Sequence, residues 1–318
     1  MTSSLQYRPL PQTEQSQPLS FPYIEEATIK RAKEGVGFAR DRQTNEMINT
    51  ALLSLAAEVD GASSSKISGG IRRGIIRTLI HSLFRIKVEF PERVPNTPVI
   101  VVANHLNHLD PFFLLSELPS NPFLNILGDA RTLYNTSWKR QILKLAKGVI
   151  PLERIWKEEV AVVEAAKNGR TDLADLAAEI TAHVPKGNSI EGMRRLDRVI
   201  QATLNRGEAI LLFPEGKLGK TEGKLLPLKR GAAIYAIRSG VPILPVALVG
   251  THDLYFRKQI TIRFGEPLVV SQSNRPKSQQ VDDVLQQIQD AMVNILPQNY
   301  SEALGMKPFR RFLNHLFW

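Results

Sequence analysis

Two residues that could act together as a proton-transfer pair interrupt an apolar stretch of the chain. The run Val99–Leu115 (VIVVANHLNHLDPFFLL) starts as a strand-like segment, breaks off into polar residues and resumes with aromatic residues and Leu. A turn of this length can bring the carboxylate of Asp110 onto the ring of His105. A carboxylate that accepts from one imidazole nitrogen fixes the tautomer and raises the basicity of the other nitrogen. The pair could therefore take a proton from a hydroxyl group as that hydroxyl attacks a carbonyl.

The same residues also have a structural explanation. Asp110 followed by Pro111 is typical of a helix start, with Asp as N-cap and Pro at the first helical position. That role does not exclude a contact between Asp110 and His105. A second histidine, His108, lies close by; we expect it to contact other residues of the site and not the substrate, or to be exposed.

Charged residues also follow other strand-like runs. Arg154 closes the run Lys147–Arg154, and Glu215 and Lys217 come directly after the apolar run Ala209–Phe213. Ligands of α/β proteins gather where strands end. Cationic residues at several strand ends therefore predict binding of a phosphate or another multivalent anion. Taken alone, Arg154 would be a surface ion-pair residue.

The elements that must position these residues alternate between strand and helix patterns. This alternation predicts an α/β fold in which a largely buried sheet is flanked by helices. The segment Ile71–Phe90 predicts a helix that runs into a strand, with Ile71, Ile75, Leu79 and Leu83 on one helical face and Arg72 projecting into that face. The other strand candidates are Val99–Ala103, Asn125–Gly128, Gly148–Leu152, Ala209–Phe213, Ile243–Val249 and Thr261–Phe264.

The composition excludes several classes of chemistry. The 318 residues include no Cys, which excludes disulfides, thiolate nucleophiles and Cys-based metal sites. The net charge of +10 favours anionic partners such as phosphates, nucleic acid or an acidic membrane face. No run reaches the roughly 18 consecutive apolar residues of a membrane span, and the N-terminus lacks the pattern of a signal peptide. We therefore expect a cytoplasmic protein that contacts the inner face of a membrane peripherally, without a transmembrane helix.

In its motifs and their order the chain resembles the glycerolipid acyltransferases, and among them the lysophosphatidic acid acyltransferases most. The resemblance covers roughly Ile71–Pro267. Each motif is moderately specific, whereas four in the right order are strong. The motifs are Asn104-His105 through Asp110-Pro111, Gly148–Arg154, Phe213-Pro214-Glu215-Gly216 and Val241–Val246.

The resemblance implies a direct transfer of a fatty acyl group to a glycerol hydroxyl. His105 would be the base and Asp110 would orient it. The acceptor would be 1-acyl-sn-glycerol-3-phosphate and the product phosphatidic acid, in phospholipid biosynthesis. The acyl donor would be acyl-CoA or acyl-ACP, with no metal and no bound cofactor. The implied fold is a single mixed sheet flanked by helices, with an N-terminal helical segment.

The resemblance also assigns roles to other residues. Arg154, Glu215, Gly216 and Lys217 would bind the acceptor, and Pro245 would lie on the acyl-donor side. Asn104 and Asn107 would support the histidine. Two positions depart from the family pattern. Asn107 stands where a Ser is usual, and Lys217-Leu218 stands where Thr-Arg is usual, so a point charge replaces a planar guanidinium.

The predicted organisation has a disordered tail over 1–20, a helical segment and linker over 21–70, an acyltransferase domain over 71–270 and a C-terminal helical region over 271–318. The domain is longer than the family pattern predicts. We attribute the excess to a helical insertion at about 156–188, which could be a lid, a partner surface or additional packing, and we favour packing.

Membrane contact is expected through two segments. These are the basic stretch Lys66–Lys87 and the basic, aromatic tail Phe309–Trp318. The alternative for the first segment is a core helix with a solvated basic rim.

Three other functions remain open. The acceptor could be glycerol 3-phosphate or another lysolipid, the chain could be an inactive relative, or it could be a basic nucleic-acid-binding protein. The last is disfavoured because no finger, homeodomain or RNA-recognition signature is present.

Overall fold

The computed structural model describes residues 23–59, 68–146, 148–185 and 190–316. The predicted disordered tail and nearly all of the linker lie outside these residues. The strands are β1 Arg85–Glu89, β2 Ile100–Ala103, β3 Leu124–Asp129, β4 Val149–Leu152, β5 Ala209–Leu212, β6 Ile243–Val249 and β7 Gln259–Phe264. The helices are α1 Glu26–Arg40, α2 Arg42–Val59, α3 Gly69–Leu83, α4 Asp110–Glu117, α5 Ala130–Tyr134, α6 Ser137–Ala146, α7 Lys157–Lys167, α8 Ala174–His183, α9 Ile190–Asn205, α10 Gly231–Ser239, α11 Ser278–Ile295 and α12 Arg310–His315.

The strands form one mixed sheet in the order β1-β7-β6-β2-β5-β3-β4. β2 lies in the centre and is parallel to both of its neighbours, β6 and β5. β3 and β4 continue the parallel part, whereas β7 is antiparallel to β6. Parallel neighbours need long crossover connections, and helices supply them here. The predicted α/β fold with a single mixed, largely buried sheet is confirmed.

Both faces of the sheet are apolar and covered by helices, as is usual for a mainly parallel sheet. Val101 and Ala103 of β2 point into one core, and Ile100 and Val102 point into the other. Helices α3, α4 and α12 contribute Ile80, Phe113 and Leu313 to the first core. Helices α9, α10 and α11 contribute Ile200, Ala236 and Ile288 to the second core.

Helix α3 has two apolar stripes, and only one of them faces the core. Ile80 is buried, and Ile76 packs against the same cluster. The stripe formed by Ile71, Ile75 and Leu79 is more than half exposed. The predicted apolar face of this helix is therefore turned largely towards solvent.

Arg72 breaks the apolar pattern of α3 because it faces the sheet. Its Nη2 donates to the carbonyl of Leu124 at 2.8 Å, and its guanidinium lies 3.9 Å from the centroid of the Phe123 ring. Burial lowers the pKa of Arg72 to about 10. The charge in the middle of the apolar pattern thus ties α3 to β3.

The chain divides into two compact units. One comprises the chain up to Gly37 together with Ile155–Val184, and the other comprises Phe38–Arg154 and the chain from Pro185 onward. The first unit contains most of α1 together with α7 and α8. Within it the guanidinium of Arg31 lies 4.3 Å from the centroid of the Trp156 ring. The second unit contains the sheet. In the described ranges, no helix is both long and apolar enough to cross a membrane.

Candidate active site

The parallel strands bring the residues singled out from the sequence to one edge of the sheet. β2 is followed by Asn104–Asp110, β4 by Arg154 and β5 by Phe213–Gly216, and β3 ends at Asp129. Strands that run in the same direction end at the same edge. This edge at the centre of an open sheet is where α/β proteins bind ligands.

The carboxylate of Asp110 lies against the ring of His105. Its Oδ2 is 2.9 Å from Nδ1 of His105 and also accepts from the backbone N–H groups of Leu106 at 2.6 Å and Asn107 at 2.9 Å. Asp110 is completely buried and is the first residue of α4. One side chain therefore both closes the turn at the start of the helix and orients the histidine.

The ring of His105 is fixed on a second side by Phe213. The two rings stack with their centroids 4.0 Å apart and their planes 19° apart. An ionised carboxylate only accepts hydrogen bonds, so the contact with Asp110 assigns the proton to Nδ1 and leaves the lone pair on Nε2. The side chain keeps 18% of its surface exposed, so a substrate can reach the ring. The sequence placed Phe213 in a motif but gave no sign that it stacks on the histidine.

Glu215 holds the backbone around the histidine. Its Oε1 accepts from the N–H of His105 at 2.9 Å, and its Oε2 accepts from the N–H of Leu226 at 2.9 Å. Burial raises the pKa of Glu215 above its usual range, although these two hydrogen bonds oppose the shift. Both oxygens are thus engaged with the main chain. The role of Glu215 in substrate binding stays a prediction.

At Gly219, the loop after β5 makes a further close contact with the turn that carries His105. The N–H of Gly219 donates to the carbonyl of His105 at 2.7 Å. A Cβ at this position would lie 2.9 Å from Cδ2 of Leu106, so a larger residue would require the Leu106 side chain to shift. Sequence reasoning missed this contact because glycines are common in such loops.

Arg154 joins three strand ends. Its Nε donates to Oδ2 of Asp129 at 2.8 Å, and its Nη1 donates to the carbonyl of Gly216 at 2.6 Å. Its own carbonyl accepts from Nη2 of Arg131 at 2.8 Å. These contacts occupy Nε and Nη1 of the guanidinium and leave Nη2 for a ligand. Asp129 is a functional-site residue that sequence reasoning missed, and the signal that could have identified it is a carboxylate directly after the strand candidate Asn125–Gly128.

Cations surround Gly216. The φ of this glycine is +66°, and a Cβ placed on it would be 3.6 Å from Cγ of Lys229 and 3.9 Å from Nη1 of Arg154. Lys217 is exposed. The loop from Phe213 to Arg230 carries five exposed basic residues, which are Lys217, Lys220, Lys224, Lys229 and Arg230. This arrangement suits a phosphate group.

The remaining predicted site residues are part of the framework. The amide of Asn104 exchanges two hydrogen bonds with the backbone of Leu248, at 2.9 and 2.7 Å, and so extends the pairing of β2 with β6. Oδ1 of Asn107 accepts from the N–H of Leu109 at 3.0 Å. Pro245 lies buried within β6, where its carbonyl accepts from the N–H of Gly265 at 2.8 Å. The predicted place of Pro245 on the acyl-donor side stays a prediction.

No group of three or more His, Asp and Glu side chains among the described residues could hold a metal ion. What this edge of the sheet does bring together is an oriented imidazole and several cationic side chains.

Comparison with known proteins identifies the family. The model of the Acyltransferase family matches residues 85–249, which is just over half of the chain. The chain belongs to this family. The matched residues include His105, Asp110, Arg154 and the loop after β5, so the part of this acyltransferase-family chain that matches the family model contains the candidate site.

Curated relatives share about a quarter of their residues with the chain. The chloroplast 1-acyl-sn-glycerol-3-phosphate acyltransferase of Brassica napus is 25% identical over 174 residues, which cover 54% of this chain and 39% of that protein. The 1-acyl-sn-glycerol-3-phosphate acyltransferase of Limnanthes alba is 26% identical over 239 residues, covering 72% of this chain and 70% of that protein. The alignment thus spans well under half of the Brassica napus relative.

A search of solved structures finds the 1-acyl-sn-glycerophosphate acyltransferase of Thermotoga maritima. Its TM-score is 0.43 at 16% identity, and the comparison covers 85% of this chain and 99% of that one.

Proposed function

We propose that the protein transfers a fatty acyl group from acyl-CoA or acyl-ACP to the free hydroxyl of 1-acyl-sn-glycerol-3-phosphate, giving phosphatidic acid. The observation that carries this proposal is the His105–Asp110 contact, 2.9 Å long, at the sheet edge where Arg154 and Lys217 also lie. The names of the curated relatives support the same acceptor.

In the proposed reaction His105 acts as a general base. Its Nε2 takes the proton of the acceptor hydroxyl while the oxygen attacks the carbonyl carbon of the thioester. The tetrahedral intermediate then expels the thiolate, which takes the proton from the imidazolium. Asp110 stabilises the imidazolium and keeps the ring in place. General base catalysis of this kind contributes about 10²–10⁴-fold to the rate.

The acceptor phosphate is assigned to the cations around Gly216. Arg154 would bind through Nη2, because its other contacts already fix the plane of the guanidinium. Lys217 and Lys229 would add point charges.

We further propose that the protein works on a bilayer, which it contacts peripherally. The exposed stripe Ile71, Ile75 and Leu79 of α3 and the apolar C-terminal residues support this proposal. The inner leaflet is the anionic face of a membrane, which suits a chain of net charge +10. Four residues of the two predicted contact segments lie outside the described residues: Lys66 and Ile67 of the first, and Phe317 and Trp318 of the second.

The acceptor is tested by assaying one long-chain acyl-CoA against 1-acyl-sn-glycerol-3-phosphate, glycerol 3-phosphate and an uncharged monoacylglycerol, with acyl-ACP as a second donor. Phosphatidic acid should form with the highest kcat/KM. Preferred acylation of glycerol 3-phosphate would replace the proposed acceptor, and acylation of the monoacylglycerol alone would contradict the phosphate site.

The phosphate site has its own test in Arg154→Lys. Lysine cannot reach Asp129, Gly216 and a phosphate together, so KM for the phosphorylated acceptor should rise about tenfold or more. Arg194→Lys, an exposed residue of α9, is the matched control and should leave KM unchanged. Equal KM values for the two variants would contradict the assignment of Arg154.

A further inference from the structure

The C-terminal segment Leu304–His315 presents large apolar side chains to solvent. The side chain of Leu304 is fully exposed, and Met306, Phe309 and Phe312 are 93%, 68% and 60% exposed. Single exposed apolar residues are common on protein surfaces, but contiguous apolar surface usually marks an interaction site. Four such residues within nine positions of chain make this segment the densest exposed apolar stretch in the described ranges.

The segment is anchored to the sheet unit rather than loosely attached. Leu313 is buried in the core that α3 and α4 share. Lys307 and Arg310 both pair with Asp253, at 2.7 and 2.6 Å. Phe309 meets Phe256 edge to face, with ring centroids 6.0 Å apart. The exposed side chains are thus held outward on a fixed backbone.

The charges around these apolar residues are mainly positive. Arg257, Arg310 and Arg311 are exposed. The nearby carboxylates are already neutralised, because Asp253 pairs with Lys307 and Arg310 and Glu302 pairs with the buried Lys258 at 2.6 Å. Aromatic residues flanked by cations are suited to the headgroup level of an anionic bilayer.

The segment also touches the turn that carries the catalytic pair. Oδ1 of Asn314 accepts from Nδ2 of Asn107 at 3.3 Å and from the N–H of Leu254 at 2.9 Å. Asn107 in turn donates its backbone N–H to the carboxylate of Asp110. One amide therefore links the exposed segment to the residue that orients His105.

We propose that Leu304–His315 docks the protein on an anionic lipid bilayer, and that Asn314 is a positioning residue that holds the catalytic turn relative to the docked surface. The proposal rests on the proposed function, because a lysophosphatidic acid acceptor lies in a bilayer. The apolar residues would enter the headgroup region, and the arginines would contact lipid phosphates. The catalytic turn would thereby be held at the surface from which the acceptor comes.

Docking is tested by cosedimentation of the full chain with phosphatidylglycerol vesicles and with phosphatidylcholine vesicles. The variant Phe309→Ser/Phe312→Ser should bind phosphatidylglycerol vesicles about tenfold or more weakly than wild type. The control Leu53→Ser/Val269→Ser changes two equally exposed apolar residues elsewhere and should bind like wild type. Wild-type binding should weaken with salt. Equal losses in both double variants, or equal binding to both vesicle types, would overturn the docking proposal.

This readout does not depend on catalysis, so it separates failure of docking from failure of the proposed function. With a working assay, Phe309→Ser/Phe312→Ser should raise the apparent KM for vesicle-borne acceptor. The same variant should leave kcat and KM unchanged for a short-chain acceptor that is monomeric in water. An equal effect on both acceptors would contradict a docking role.

The positioning role is tested with Asn314→Ala, Asn107→Ala and the double variant. Asn314→Ala should lower kcat severalfold on the monomeric acceptor, with KM and vesicle binding unchanged. If Asn314 acts through Asn107, the double variant should be no slower than the slower single variant. This role would be overturned if the double variant lost kcat by the product of the two single losses. It would also be overturned if Asn314→Ala lowered the melting temperature with no change in kcat.

Discussion

At the scale of single residues, two carboxylates contact His105 at different atoms. Asp110 contacts the ring, whereas Glu215 accepts from the backbone N–H of the same histidine. The sequence places both acidic residues beside strand ends but cannot distinguish their roles. The difference depends on the path of the loop from Phe213 to Leu226, which brings two main-chain amides to Glu215.

Glu215→Gln tests the backbone role. The amide keeps the shape of the side chain but turns one NH₂ group towards a main-chain N–H, which loses a hydrogen bond and sets donor against donor. The free energy of unfolding should fall by about 1–3 kcal/mol, measured by chemical denaturation, and kcat should fall with it. Glu92→Gln at an exposed position is the control. If the two variants proved equally stable and active, Glu215 would not hold the turn.

At the scale of elements, the strands could be predicted and the orientation of the helices could not. β2, β4, β5 and β6 are short apolar runs, and β1 and β7 alternate polar with apolar residues, so local patterns are sufficient to predict them. In α3 two apolar stripes compete, and the choice between them depends on Arg72, whose partner Leu124 lies in another element. Asn314 and Asn107 are in contact although they lie 207 positions apart, and no local sequence pattern predicts this contact.

The attachment of the C-terminal segment should depend on pH through Asp253. Burial opposes its charge, but hydrogen bonds from Lys307 and Arg310 outweigh burial and lower the pKa of Asp253 below its ordinary value. A carboxylate with a lowered folded pKa contributes stability above its unfolded pKa, and this contribution is lost as pH falls through the folded value. The amides of residues 307–315 should therefore stay protected from hydrogen exchange from neutral pH down to about 3.9. They should lose this protection as the pH falls further, through the lowered pKa of Asp253.

Asp253→Asn should reduce that protection already at neutral pH, and the protection should then vary little with pH. The control is Asp172→Asn, which removes an exposed ion pair with Arg170 in the other compact unit. Unchanged protection of the segment in Asp253→Asn would show that Leu313 alone holds it in place.

At the scale of the whole molecule, one face of the sheet combines the His105–Asp110 pair with the exposed apolar surfaces. Helices α3, α4 and α12 all pack on this face, and α4 begins with Asp110. Two of the three also expose apolar side chains: Ile75 and Leu79 on α3, and Phe312 on α12. The opposite face is covered by α9, α10 and α11. The asymmetry agrees with the proposal that the protein approaches a bilayer with the face that carries the His105–Asp110 pair.

The proposed acyl transfer depends most directly on His105 acting as the base. The decisive measurement is acyl transfer from a long-chain acyl-CoA to 1-acyl-sn-glycerol-3-phosphate by wild type, His105→Ala and His108→Ala, with acyl-ACP as donor if acyl-CoA is not used. The ring centroids of the two histidines are 6.4 Å apart, so His108→Ala is a close control. The account predicts that His105→Ala loses about a hundredfold or more in kcat while His108→Ala stays near wild type. Full activity in His105→Ala would contradict it, and the polar interruption after β2 would then be only the start of a helix.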